Sequence, residues 1–192
     1  MIESTQLVTS LYIFILAVVL ALLEIQIEAG AGWAKNLPTW RPHSEKWYAR
    51  LHMKLMSGKE MTGYHTAMFS FVLLIFHLPY FMGREFAWVN WFETLSLIFI
   101  FVVVWDFLWF VLNPHFSMND FREGGIDWHV KWTAGMPADY LNGIVASGLI
   151  LLPTLLLGNS APELVLDWVI TILAFAILTF ITGLVAKALR IF

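Results

Sequence analysis

The stretch LVTSLYIFILAVVLALLEIQIEAGAG, residues 7–32, decides how the rest of the chain is read. It is almost purely apolar as far as Leu23 and then carries Glu24 and Glu28. About 20 apolar residues in a helix cross the hydrocarbon layer of a bilayer. Residues 7–29 therefore read as a membrane span whose last turns hold two acids. A carboxylate at that depth is costly unless it is protonated, paired or hydrated, and such groups mark functional sites by default. Where the partners come from is the question that the remaining sequence has to answer.

Outward from this span, four further apolar runs follow at residues 64–82, 92–113, 139–158 and 162–189. The run before Pro114 ends there because proline cannot continue a helix without losing a hydrogen bond. Pro162 suits a helix start, and GNSAP between the last two runs is a turn. The 192 residues are 59% hydrophobic and 13% charged, about half the charge of a soluble domain. These features predict an all-α integral membrane protein, a single transmembrane domain over 1–192 with a bundle of five transmembrane helices. The segment 139–158, with Gly148 and Pro153, leaves four spans plus a re-entrant segment as the alternative. The N-terminal MIESTQ has no basic residue ahead of its apolar run, so the first run is expected to be a span and not a cleaved leader.

Cysteine is absent, which removes disulfides, thiolate metal ligands and thiol nucleophiles. A net charge of −3 suits no polyanionic partner, and no nucleic acid is expected. With five spans, the first loop, the third loop and the C-terminus share one side. That side holds ten of the eleven Lys and Arg, all but Arg84. The positive-inside rule makes it the cytoplasm and puts the N-terminus outside, in a cell membrane of inner-membrane type. Within the first cytoplasmic loop, from Ser44 to Ser57, Trp47, Tyr48, Leu51 and Leu55 fall on one helical face and Lys46, Arg50 and Lys54 on another. This predicts an amphipathic interfacial helix with Ser44 as N-cap, lying in the headgroup plane or packed on the spans. His43 and His52 are expected to face headgroups.

Orientation turns position into depth, at about 1.5 Å per residue. Glu24 and Glu28 share one face near the cytoplasmic end of the first span. Asp106, seven residues before Asn113, lies level with Glu24 on the third span. His115 follows that span, Tyr64 and His65 open the second, and Asp139, Tyr140 and Asn142 open the fourth; His129 is in the loop between. Carboxylates and imidazoles without thiolates suit Fe, Mn or Zn, and helical bundles build such centres from inward Glu and His. Glu24, Glu28, Asp106, His65, His115 and His129 are therefore the candidate metal ligands. Glu24, Asp106 and His129 are the candidate acid–base groups, and Asn113, Tyr64 and Tyr140 the candidates for orienting a substrate. No HExxH or ExxH pair supports the set. The structural alternative is that Glu24 and Asp106 bond Trp105, Trp109, Tyr64 or Asn142, and that Glu28 pairs with Lys35 or Arg41. His77 stands in the second span as a possible axial ligand, but no second histidine lies level with it on another span; haem or pigment is not expected.

Three functions fit. The first is a membrane-embedded, metal-dependent enzyme, an oxidoreductase or hydrolase, acting on a lipid or other apolar substrate at the cytoplasmic interface. Lys35, Arg41 and Lys46 would then hold a phosphate headgroup. The second is an accessory subunit of a larger membrane complex, or a homo-oligomer. The third is a small proton-coupled transporter, although the outer half of the chain is poor in polar groups.

Overall fold

The computed structural model describes residues 4–158 and 160–189. Arg190, used above in the charge count, and Asn159 of the GNSAP turn lie outside them. Six helices make up most of the chain: α1 (Ser4–Glu28), α2 (Trp47–Leu55), α3 (Gly63–Phe81), α4 (Trp88–Leu112), α5 (Ala138–Leu155) and α6 (Ala161–Ala188). Five of them, all but α2, are long and apolar enough to cross a membrane. A two-stranded antiparallel hairpin, β1 (Trp132–Thr133) with β2 (Met136–Pro137), precedes α5.

The helix ends follow local chemistry. Thr62 caps α3 by accepting the His65 backbone N–H. α4 stops at Leu112, with Asn113 as C-cap ahead of Pro114. Pro162 sits in the first turn of α6. Three boundaries differ from the sequence reading. α4 begins at Trp88, not at 92, because Trp88, Asn90 and Trp91 are tolerated in its first turn. Of the expected run 139–158, the part to Leu155 lies in one helix, α5, which runs unbroken through Pro153, and this favours a fifth full helix over a re-entrant loop. α2 starts at Trp47 with an extended Lys46, and Ser44 makes no capping bond.

α4 is the most enclosed helix and packs against α1, α3, α5 and α6. Its buried Phe101, Trp105 and Leu108 belong to one apolar core with Phe14, Ala17 and Ala21 of α1 and Phe175 of α6. Elsewhere the helices turn Leu, Val, Ile and Phe outward, as at Val19, Leu74, Leu152 and Ile177. α3 is seated chiefly against α4. Close approach shapes the segment after α1. Gly32 has φ +51°, and a Cβ there would run into the Trp128 ring. Gly30 lies against His115 in the same way.

Candidate metal centre

Two helices bring Glu24, Glu28 and His65 together. The two glutamates sit one turn apart on α1, and both are buried. The first turn of α3 supplies His65, also buried, with Nε2 at 3.7 Å from Glu24 Oε1 and 3.7 Å from Glu28 Oε1. One ligand atom from each of the three lies within 4.8 Å of the others. Two donors at about 2.1 Å from an ion, at tetrahedral angles, are about 3.4 Å apart, so a small inward movement would fit the triad to a metal. The other ring nitrogen of His65, Nδ1, is 2.8 Å from Thr62 Oγ1. Such a bond fixes ring orientation and leaves Nε2 for the carboxylates, as the outer partners of metal-ligating histidines do. Trp33 stacks on the imidazole at 4.0 Å between centroids, closing its second face.

A second group adjoins the first. Asp106 of α4 accepts the Tyr140 hydroxyl hydrogen on Oδ2, and His129 Nε2 lies 3.4 Å from the same oxygen. His129 Nδ1 is 3.3 Å from Asp139 Oδ1, and Asp139 Oδ2 holds the ammonium of Lys59. The imidazole contacts are at ion-pair distance, but Nδ1 has no aligned hydrogen-bond acceptor. Burial by itself would lower the proton affinity of His129, yet the two flanking carboxylates outweigh it and raise the imidazole above its ordinary value. Lys59 is buried, and its ammonium also stands 4.6 Å over the Trp33 ring. It thereby links the two groups.

Between them is a cavity of about 10 Å³, room for one water molecule or one ion. Glu24, Glu28, His65, Asp106, Gly32, Trp33, Trp109 and Trp128 line it. Although deep among α1, α4 and α5, Asp106 keeps 30% of its side-chain surface accessible. Asp106 is one of the residues lining the cavity. Tyr140 and His129 both address Oδ2, so Oδ1 makes no hydrogen bond among the described residues. Trp109 Nε1, in the cavity wall, and Tyr64 Oη, beside His65, are buried without a partner among the described residues. Native proteins leave few such donors unpaired, and those that remain gather where a water or ligand belongs. The charge is also unbalanced. Glu24, Glu28, Asp106 and Asp139 share Lys59 as their one lysine and two imidazoles, His65 and His129. An excess of acids of this kind is balanced by protons or by a cation.

The other expected residues fall outside this constellation. His115 packs on Gly30, and its backbone N–H bonds Asn113 Oδ1 at 3.0 Å. Asn113 is fully buried and gives its Nδ2 hydrogen to the Ala29 carbonyl at 2.8 Å. It ties the end of α4 to the end of α1, so its amide is occupied by backbone and not turned to the cavity. Glu28 does not pair with Lys35 or Arg41. Its carboxylate accepts the Ala34 N–H, while Lys35 meets Asp127 and Arg41 meets Glu60. His52 turns inward, its Nδ1 3.3 Å from the Lys59 carbonyl, and partial burial lowers its proton affinity against the pull of that carbonyl. His77 has both ring nitrogens engaged, Nδ1 by the Leu73 carbonyl at 2.7 Å and Nε2 by the Trp91 N–H at 3.1 Å. Lys59, Thr62 and Trp33 were missed as site residues, and Asp139, expected at the same end of the bundle, was given no role. Only Thr62 had a local signal, a threonine three residues before a histidine at a helix start.

No known protein family matches the chain, and neither does any curated protein or any solved structure.

Proposed function

We propose that the protein is a five-span membrane enzyme that uses a divalent metal, Fe, Mn or Zn, to act on a lipid or other apolar molecule at the cytoplasmic interface. In this reading the loop holding α2, the hairpin loop and the C-terminus are cytoplasmic, the N-terminus is outside, and α2 lies at the headgroup level. The observation that carries the reading is the buried Glu24–Glu28–His65 triad, whose donor atoms lie within 4.8 Å of one another and line a cavity that Asp106 also lines. Glu24, Glu28 and His65 are the ligands. A metal there supplies Lewis acidity toward bound water or oxygen. Asp106, with Oδ1 free, accepts or returns a proton at the cavity. Tyr140 and His129 hold its other oxygen, and Asp139 with Lys59 holds His129. Tyr64 and Trp109 offer donors to an oxygen of the substrate. The cavity takes an ion or a water but no more, so the substrate meets it at the mouth, where Trp33 and Trp128 favour an apolar group.

Elemental analysis of the purified chain tests this. The expected result is close to one Fe, Mn or Zn per chain, lost in both Glu24→Gln and His65→Gln while the variants still melt cooperatively. A wild-type chain without stoichiometric metal, whose melting temperature does not rise when Mn²⁺, Fe²⁺ or Zn²⁺ is added, overturns it. The accessory-subunit or proton-carrier reading would then stand.

A further inference from the structure

The helix α2 has three faces, and only one of them is used inside the protein. Ala49, His52, Met53 and Met56, spaced as one helical stripe, turn inward. Trp47, Leu51 and Leu55 recur every fourth residue and stand out, with 70%, 48% and 68% of their surfaces exposed. Lys46, Arg50 and Lys54 recur at the same interval, one residue earlier, and are exposed as well. An apolar ridge thus runs beside a basic ridge, about 100° around the helix. Elsewhere in the same loop the cations are engaged: Lys35 by Asp127, Arg41 by Glu60 and Lys59 by Asp139. Among the described residues Lys46, Arg50 and Lys54 have no acidic partner. The expected phosphate-holding set of Lys35, Arg41 and Lys46 is therefore reduced to its last member and extended along α2.

We propose that α2 is a binding ridge for anionic phospholipid, with Trp47, Leu51 and Leu55 among the acyl chains and Lys46, Arg50 and Lys54 on headgroup phosphates. The sign of the basic row selects this occupant. A second protein helix would cover the apolar ridge but leave three cations to be matched, whereas an anionic leaflet supplies both an apolar layer and a dense row of negative charge. The inward stripe anchors the helix to the body, so the ridge stays presented. The proposal rests on the membrane orientation above and is independent of the metal.

The full chain, purified in neutral detergent, is mixed with phosphatidylglycerol or with phosphatidylcholine of the same acyl chains. Native mass spectrometry then reads the retained lipid and the oligomeric state. Phosphatidylglycerol is expected to be retained preferentially. The preference should fall about fivefold for each cation neutralised, from K54Q to the triple variant K46Q/R50Q/K54Q, and stay unchanged in K35Q. Equal retention of the two lipids by the wild type, or an undiminished preference in the triple variant, overturns the proposal. A dimer that L51R converts to monomer would assign the ridge to a second copy and overturns it too. Failure of the membrane reading shows separately, as a chain that stays monodisperse without detergent, and metal content does not enter.

Discussion

Replacing Lys59 with methionine tests the electrostatics of the site most directly. The stem of Lys59 is buried, and its ammonium meets Asp139 and the Trp33 ring. Methionine keeps most of the apolar stem and removes the charge. Removing one partner of a buried ion pair costs about 3–5 kcal/mol, because the other is left charged and dry. Asp139 retains His129 at 3.3 Å, so the lower end applies, about 3 kcal/mol. For a chain of this size each kcal/mol moves the melting temperature by about 2–4 °C, which gives a fall of about 6–12 °C. The measurement is a thermal melt of the detergent-solubilised protein followed by tryptophan fluorescence, for Lys59→Met, Asp139→Asn and the double variant. Residues that share one buried pair couple by about 0.5–3 kcal/mol, so the double variant should lose clearly less than the two single losses together. A fall below about 2 °C in Lys59→Met, or strict additivity, would refute the reasoning, since the ammonium would then be solvated and Asp139 would not need it.

Two other outcomes follow from the same geometry. The raised proton affinity of His129 contributes stability that is complete below about pH 6.5 and is lost as pH climbs through the raised folded value. Between pH 6 and pH 9 the melting temperature of the wild type should therefore decline more steeply than that of His129→Gln; parallel slopes would contradict the two-carboxylate environment. Gly32→Ala forces a side chain onto a backbone with φ +51° and against Trp128. It should cost more than Gly83→Ala, where φ is +102° but nothing lies within 4 Å. Strain alone accounts for about 1–3 kcal/mol, and a fall of less than about 2 °C in Gly32→Ala would show that Trp128 yields freely.

The helices were legible because length and apolarity are local properties of the chain, and Pro114 and Pro162 mark their ends. The meeting of Glu24 with Asp106 was legible from the helical rise, once both helices ran the same way. What adjoined them was not. Lys59 reads as one of six loop cations, and nothing in its neighbourhood shows that it turns inward onto Trp33. Tryptophan is an interfacial residue by type, so nothing in the sequence marks Trp33 or Trp128 as the cavity walls that they are. The hairpin from Trp132 to Pro137 carries no alternating pattern because it is only two residues per strand. His115 was misplaced for the opposite reason. It directly follows the third span, but the turn after α4 carries its ring onto Gly30. Spacing fixes which residues share a helix face, whereas loop side chains are placed by tertiary contacts that spacing does not encode.

The slight seating of α3 has a mechanical result. Glu24 and Glu28 stand on α1, which is packed firmly on α4, while His65 stands on a helix with few other moorings. Anything that bridges the imidazole to the glutamates therefore acts as a rivet between a fixed wall and a loose one. Loading the centre should quieten an entire helix, and emptying it should set that helix swinging, so that amide exchange along α3 becomes a gauge of occupancy.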